Sequence, residues 1–463
     1  MIPSALVTDF YEITMMAGYD AGDVEGRATF ELFVRNLPRN RAYLVAAGLE
    51  QALQYLETLR FTPEQIAWLR HVPGLSAVPA TFFDETLPSL RFTGDVWAVP
   101  EGTPVFPYEP LLRVSAPLIE AQLVETALLA TLTFQTSIAS KAARIVWAAS
   151  GREVMEFGSR RAHGPEAGVL AARAAYLAGC ASTSNVEAGY RFGIPLSGTM
   201  AHSWVTTFAD EIEAFRQYAS VFGERSVFLI DTYDTVTCAR KIVAAGLRPR
   251  AVRLDSGDLV ALSKEVRAVL DEGGLHQTDI LASGDMDEWS VAHVLAQGAP
   301  IDGFGVGTSL ATSKDAPALG GVYKLVEVER DGTHVPVMKL SAGGKASFPG
   351  RKQVWRHHRH GVATGDLVTL ADEPPPPGGT PLLVPVMERG FRVDAPESLA
   401  ASRKRCECLL EELPQGVRML EPREAYQVSR SAALEALTDR TVAALGVEVP
   451  LVTDAPDADS QQR

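Results

Sequence analysis

The chain has 463 residues and a formal net charge of −14, with 46% of residues hydrophobic and 22% charged. At about 100–200 residues per domain this is enough for two or three domains, or for one barrel with additions, each with a sizeable core. The acidic balance argues against non-specific binding to nucleic acid or to an anionic membrane, yet leaves room for a small anionic substrate in a local cationic pocket.

The first residues, MIPSALVTDFYEITMMAGYD, lack a basic leading region and carry acids among their apolar positions, so they are not read as a signal peptide. No run approaches the ~20 apolar residues of a membrane span, and the cytoplasm is the expected compartment. The stretch AYLVAAGLEQALQYLETL repeats apolar residues every three to four positions, which predicts a helix. Residues 92–115, rich in Val, Phe, Pro and Gly in short alternating runs, predict short strands with tight turns. A long helical pattern follows from Pro117, placed where its missing N–H costs nothing.

From about residue 153 to 310 the character changes. EVMEFGSRR, ASTSNV, IPLSGTMAHS, SVFLIDTYD, AVRLDSGD, DILASGD and IDGFGVGT are short runs that end in small or polar residues and lead into helical stretches. This is the rhythm of repeated β-loop-α units, and about seven in succession predict a β/α barrel. Past residue 325 the rhythm stops. A basic, Gly-containing stretch over 339–356 precedes the turn or linker DEPPPPGG, residues 395–446 are expected to be helical, and the acidic tail 453–463 to be disordered. Four cysteines, Cys180, Cys238, Cys406 and Cys408, do not make a disulfide scaffold. Cys406-x-Cys408 lacks the second half of a zinc site.

In a barrel the strand ends converge on one mouth, so the polar residues that close the runs form one constellation. Ser283-Gly284-Asp285 and Gly305-Val306-Gly307-Thr308 can present backbone N–H groups and helix N-termini to an anion, as the late strands of barrels often do for phosphate. Arg160, Arg161 and Arg253 can fork onto carboxylate or phosphate oxygens. Asp231, Asp255 and Asp258 could hold ribose hydroxyls or a magnesium ion arriving with a polyphosphate, or simply neutralise the arginines. His202 sits in Gly198-Thr199-Met200-Ala201-His202-Ser203, where it could serve as acid, base or phosphoryl acceptor.

EFGSRRA, GTMAHSWV, LIDTYDT, VRLDSGDL and DGFGVGTSL, in this order, resemble the nicotinate phosphoribosyltransferases, and the likeness runs from TDFYEITM at 8–15 to FPGRKQVWR at 348–356. The resemblance implies transfer of phosphoribosyl from 5-phosphoribosyl-1-pyrophosphate (PRPP) to nicotinate in NAD salvage, coupled to ATP through a transient phosphohistidine. Mg2+ would accompany PRPP and ATP. It implies that His202 is that histidine, that Asp231 and Asp255 belong to the catalytic set, and that Tyr11 reaches the partner's site in a homodimer. Phe157, Arg160, Ser184, Thr199 and Arg253 would hold nicotinate. Arg253, Asp255, Ser256, Gly284, Asp285, Gly305, Gly307 and Thr308, with Lys345, Arg351 and Lys352 of the basic stretch beside Lys339, would hold PRPP.

The fold expected is α/β: an irregular, TIM-like barrel of about seven strands over 136–325, and an α+β sandwich built from 1–135 and 326–450, with a tail from 451. A nicotinamide phosphoribosyltransferase is the nearest alternative; a neutral Ser184 at a position where that enzyme carries an aspartate favours the acid. A metal-dependent barrel lyase or hydrolase using Asp231, Asp255 and His202, and a non-catalytic pocket protein, are the readings from other classes.

Overall fold

The computed structural model describes residues 4–340 and 347–445. The chain forms two units, one of residues 137–317 and one that joins 1–136 to 318–463. The expected boundary at 325 falls inside the strand Gly321–Arg330. That strand pairs antiparallel with Arg27–Val34, so it belongs to the second of these units and the boundary moves back to 317.

The 137–317 unit carries a six-stranded parallel sheet, a half-barrel, with Ser182–Thr183 and Val227–Leu229 at its edges. Between them, in sheet order, lie Glu153–Glu156, Gly303–Val306, Asp279–Ala282 and Ala251–Leu254. The seventh expected strand, over IPLSGTMAHS, reduces to a single bridge between Thr183 and Leu196. Pro195 has no N–H to give a ladder, and Thr183 instead donates to its carbonyl (3.0 Å).

Four of the helices that follow these strands start on a side-chain cap. Asn185, Asp234, Asp258 and Asp287 each accept from backbone N–H groups of the first turn. Asp258, expected at the mouth, is therefore a helix cap, as is Asp234. Behind the sheet Phe215, Phe228, Ile230, Ile242, Val252, Leu254, Val266 and Ile280 form an apolar core. It fixes the strand ends from which the loops project.

The other unit contains a seven-stranded sheet, in which Gly321–Arg330, Arg27–Val34, Pro110–Pro117, Asp95–Ala98 and Val384–Glu388 are consecutive neighbours. It also contains a four-stranded sheet centred on Lys352–Arg359 and Val362–Leu370. Phe30 stacks on Tyr323 at 4.7 Å between ring centroids in its core. The helix expected over AYLVAAGLEQALQYLETL is shorter than its pattern. Leu44–Val45 pairs with Pro104–Val105, and the helix begins only at Leu49, after Gly48 donates its N–H to Glu101 Oε1 (2.6 Å). The long pattern from Pro117 divides into Leu118–Leu123 and Glu125–Ala148. Within 395–445 the helices Leu399–Glu412 and Ala432–Ala444 flank the strand Val428–Arg430. The expected disordered tail lies outside the described residues.

Candidate active site

The loops after the parallel strands enclose a cleft of about 240 Å³ lined by Phe157, Arg160, Arg161, Arg253, Asp255, Ser283 to Asp285, Gly305, Gly307 and Thr308, with Gly158 at its edge. Arg253 organises it. Its Nε donates to Ser283 Oγ (2.7 Å), Nη1 to Thr199 Oγ1 (3.2 Å) and Nη2 to Asp255 Oδ1 (2.6 Å). The guanidinium also lies 5.8 Å from the centroid of the Phe157 ring. Three anchors fix the plane of the fork and leave its charge at the cleft.

Asp255 is the second organiser. Burial works against its carboxylate, but the Ser283 hydroxyl (2.5 Å), the Arg253 guanidinium and His202 together hold its pKa below the ordinary Asp value. Its backbone N–H donates to Asp231 Oδ2 (3.1 Å), which also accepts from Ser256 Oγ (2.6 Å). The other oxygen of Asp231, Oδ1, is buried and has no hydrogen-bond partner. An oxygen left in that state fits a hydroxyl donor or a hard cation.

His202 opens the helix His202–Thr207. Its Nδ1 is 3.1 Å from Thr232 Oγ1 and its Nε2 is 4.0 Å from Asp255 Oδ2. The side chain is 46% exposed, so the ring is braced on one nitrogen and open to solvent on the other side.

The two glycine loops are shaped by contact. Gly284 has φ +111°, and a Cβ there would meet the carbonyl oxygen of Asp255 at 2.6 Å. At Gly305 a Cβ would lie 2.7 Å from Cδ2 and Cε2 of Phe157, so the ring occupies space that only glycine leaves free.

Most of the expected residues of this unit meet here, with exceptions. Thr199, Asp231 and Ser256 join the cleft through hydrogen bonds that lead to Arg253 or Asp255, and His202 Nε2 approaches Asp255 Oδ2 at 4.0 Å. Ser184 does not line it. It is exposed, and its N–H donates to the Glu156 carbonyl (2.9 Å).

Three expected residues lie in the other unit. Tyr11, on the helix Phe10–Ala21, is 47% exposed, and its phenol is pushed up to about 12 by burial, then by Glu125, Glu12 and Asp9. Arg351 pairs with Glu327 (3.2 Å). Lys352 is a correction. It is buried; its ammonium donates to the carbonyls of Phe348 (2.6 Å) and Gly350 (2.7 Å) and pairs with Glu31 Oε2 (2.9 Å), so its charge is neutralised inside the protein and not presented to a phosphate. Lys345 lies outside the described residues.

Two residues that sequence reasoning passed over prove important. Glu156, the last residue of its strand, is buried with its pKa raised by that burial. It accepts from Thr183 Oγ1 (2.6 Å) and from the Gly158 N–H, propping the turn that carries Phe157 and Arg160. Thr232, which braces His202, stood inside LIDTYDT beside the more conspicuous aspartates. Among the described residues no group of three or more His, Cys, Asp or Glu is placed to hold a metal ion.

A strand-end cleft with a braced arginine, two glycine loops and an open histidine has the shape and charge that suit an anionic, phosphorylated ligand. Residues 6–133 match the model of the nicotinate phosphoribosyltransferase (NAPRTase) N-terminal domain. The chain is 47% identical over 425 residues to a nicotinate phosphoribosyltransferase of Mycobacterium tuberculosis, covering 90% of this chain and 89% of that one. It is 45% identical over 384 residues to the Bacillus subtilis nicotinate phosphoribosyltransferase, covering 80% and 76%. The crystal structure of human nicotinic acid phosphoribosyltransferase superposes with a TM-score of 0.81 at 31% identity, over 94% of this chain and 99% of that one. The chain belongs to the nicotinate phosphoribosyltransferase family.

Proposed function

We propose that this protein transfers phosphoribosyl from PRPP to nicotinate, giving nicotinate mononucleotide and pyrophosphate in NAD salvage, and that ATP drives the reaction through transient phosphorylation of His202. The observation that carries the reading is Arg253, anchored at three points between the two glycine loops and set against the Phe157 ring.

In the reaction the pyridine nitrogen attacks the anomeric carbon as the bond to the pyrophosphate oxygen breaks, through an oxocarbenium-like state. The protein's task is to position the two partners and stabilise the departing charge. The backbone N–H groups of Gly284, Asp285 and Gly305 to Thr308 suit the substrate's terminal phosphate. Phe157 offers a ring face for the pyridine, and Arg160, Arg161 and Arg253 offer cations for its carboxylate. Asp255 and the unpartnered Oδ1 of Asp231 suit ribose hydroxyls. Mg2+ arriving with PRPP would neutralise pyrophosphate charge, and the same two carboxylates are the ones that would meet it. Tyr11 of a second subunit would complete the ring site in a homodimer. In the other unit, the hydrogen bond from Arg113 Nη1 to the Lys352 carbonyl (2.8 Å) and the Lys352–Glu31 pair support an α+β sandwich of its two sheets.

His202 suits the phosphoryl acceptor. In the tautomer whose Nδ1 donates to the Thr232 hydroxyl, the lone pair lies on Nε2. Attack by Nε2 on the γ-phosphorus of ATP would form the N–P bond and release ADP; water would later cleave that bond and release phosphate. While in place, the phosphoryl group adds charge beside Asp255 and disfavours retention of pyrophosphate. The preference for nicotinate over nicotinamide rests on the three arginines of the cleft, since Ser184 does not line it. The test is His202→Ala with labelled ATP. The wild-type protein acquires an acid-labile label and ATP raises its turnover; the variant does neither but keeps a slow, ATP-independent transfer. A variant that still takes up label, or is still stimulated by ATP, refutes the role.

A further inference from the structure

One charged cluster lies outside the cleft and has no part in the chemistry above. Lys141 is on the helix Glu125–Ala148, with its side chain only 2% exposed. Its Nζ meets Glu288 Oε2 at 2.6 Å and Asp315 Oδ1 at 2.7 Å. Arg144 Nε holds the other oxygen of Glu288 at 3.0 Å, and the Glu288 side chain is fully buried. Ser137 Oγ donates to the carbonyl of Ala316 (3.2 Å). Ser137, Lys141 and Arg144 are spaced i, i+4, i+7, so one stripe of the helix makes all these bonds.

The positions of the acceptors give the stripe its meaning. Glu288 is the first residue of the helix Glu288–Ala296, immediately after the loop that contains Gly284 and Asp285. Asp315 closes the short segment that begins with the other loop, Gly305 to Thr308. That segment is stiffened by Thr312 N–H to Thr308 O (3.1 Å) and Lys314 N–H to Ser309 O (3.1 Å). A single buried ammonium thus grips the far ends of both glycine loops. A buried cation carries a large desolvation cost, which is offset only when its geometry is good and its partners stay in place.

We propose that Lys141 is a positioning residue for phosphate binding: through Glu288 and Asp315 it sets the separation of the two glycine loops, and with it the affinity for the phosphate end of PRPP. This rests on the reading that those loops hold that phosphate. Lys141 itself touches no substrate.

The test uses the full-length protein with Lys141→Met, Lys141→Arg and Asp315→Asn. Steady-state kinetics give KM for PRPP and for nicotinate separately, and calorimetry gives Kd for ribose 5-phosphate. The expected result for Lys141→Met and Asp315→Asn is a rise of about tenfold in PRPP KM and ribose 5-phosphate Kd, the scale of one lost charge-assisted hydrogen bond. Nicotinate KM changes less than about twofold, and Lys141→Arg recovers most of the loss. If Lys141→Met fails to fold, Asp315→Asn carries the test, because the Asp315 side chain is 39% exposed and Glu288 keeps its pair. Unchanged PRPP KM overturns the proposal. So does a parallel rise in both KM values that tracks a fall in Tm, which would make the cluster structural only. A wild-type protein that makes no mononucleotide would refute the proposed reaction instead, and the ribose 5-phosphate measurement would still judge Lys141.

Discussion

Gly305→Ala is a small substitution whose effect can be worked from the cleft itself. The added Cβ would sit 2.7 Å from two ring carbons of Phe157 and 3.2 Å from Cβ of Ser283. Carbon atoms prefer about 3.5–4.0 Å, so the ring has to retreat by roughly 1 Å. The strand Gly303–Val306 is held between its neighbours in the parallel sheet and yields less readily than a ring at the edge of a cleft. The stability cost should therefore sit near the lower end of the ~1–3 kcal/mol typical of overpacking. The catalytic cost should be larger, because a misplacement of ~1 Å in a positioning group can cost on the order of 100-fold, or about 2.7 kcal/mol of transition-state stabilisation. In a steady-state assay kcat/KM for nicotinate should fall between about tenfold and 100-fold. Combining Gly305→Ala with Phe157→Leu should add little to the loss from Phe157→Leu alone, since both act on one ring. A Gly305→Ala protein with unaltered nicotinate kinetics, or losses that simply add, would refute the placement of nicotinate against Phe157.

Two further substitutions test single side chains. Arg253→Lys keeps the charge but can satisfy only some of the bonds to Ser283, Thr199 and Asp255. At about 1.5–3 kcal/mol for each bond to a charged group, kcat/KM should fall at least tenfold, with a modest drop in Tm; activity within twofold of the parent would contradict the bracing role. Glu12, buried in the unit that carries Tyr11, has its pKa raised from 4.5 to about 7 by burial. Between those values the folded chain keeps a proton that the unfolded chain gives up, so this group's contribution to stability falls as pH rises from 4.5 to 7. The slope of Tm against pH in that window should flatten in Glu12→Gln; an unchanged slope would assign the dependence to other groups.

The site was legible in the sequence where chemistry and backbone requirement coincide. Arg253, Asp255, Gly284, Gly305 and Thr308 lie in the last residues of strands or just past them, where a β/α arrangement must bring side chains together, and they do line one cleft. The rest was hidden for physical reasons. A carboxylate past a strand end is also the residue a following helix needs as its cap, and composition cannot separate the two; Asp234 and Asp258 went to the caps, Asp231 and Asp255 to the site. Lys352 sits in a basic stretch that looks like a phosphate segment, but its fate was decided by Glu31, more than three hundred residues away in the chain. Glu156 reads as one polar residue in a short strand, and only its bonds to Thr183 and Gly158 give it a purpose. The missing seventh strand turned on Pro195, a single residue whose effect on a ladder outweighs the apolar run around it.

The activity proposed for this cleft is the joining of nicotinate to PRPP. Purified protein given PRPP, Mg2+ and either nicotinate or nicotinamide, with and without ATP, tests it most directly. Nicotinate mononucleotide and stoichiometric pyrophosphate should form from the acid, faster with ATP, with little product from the amide. Equal or greater turnover of the amide, or no mononucleotide from either base, would contradict it.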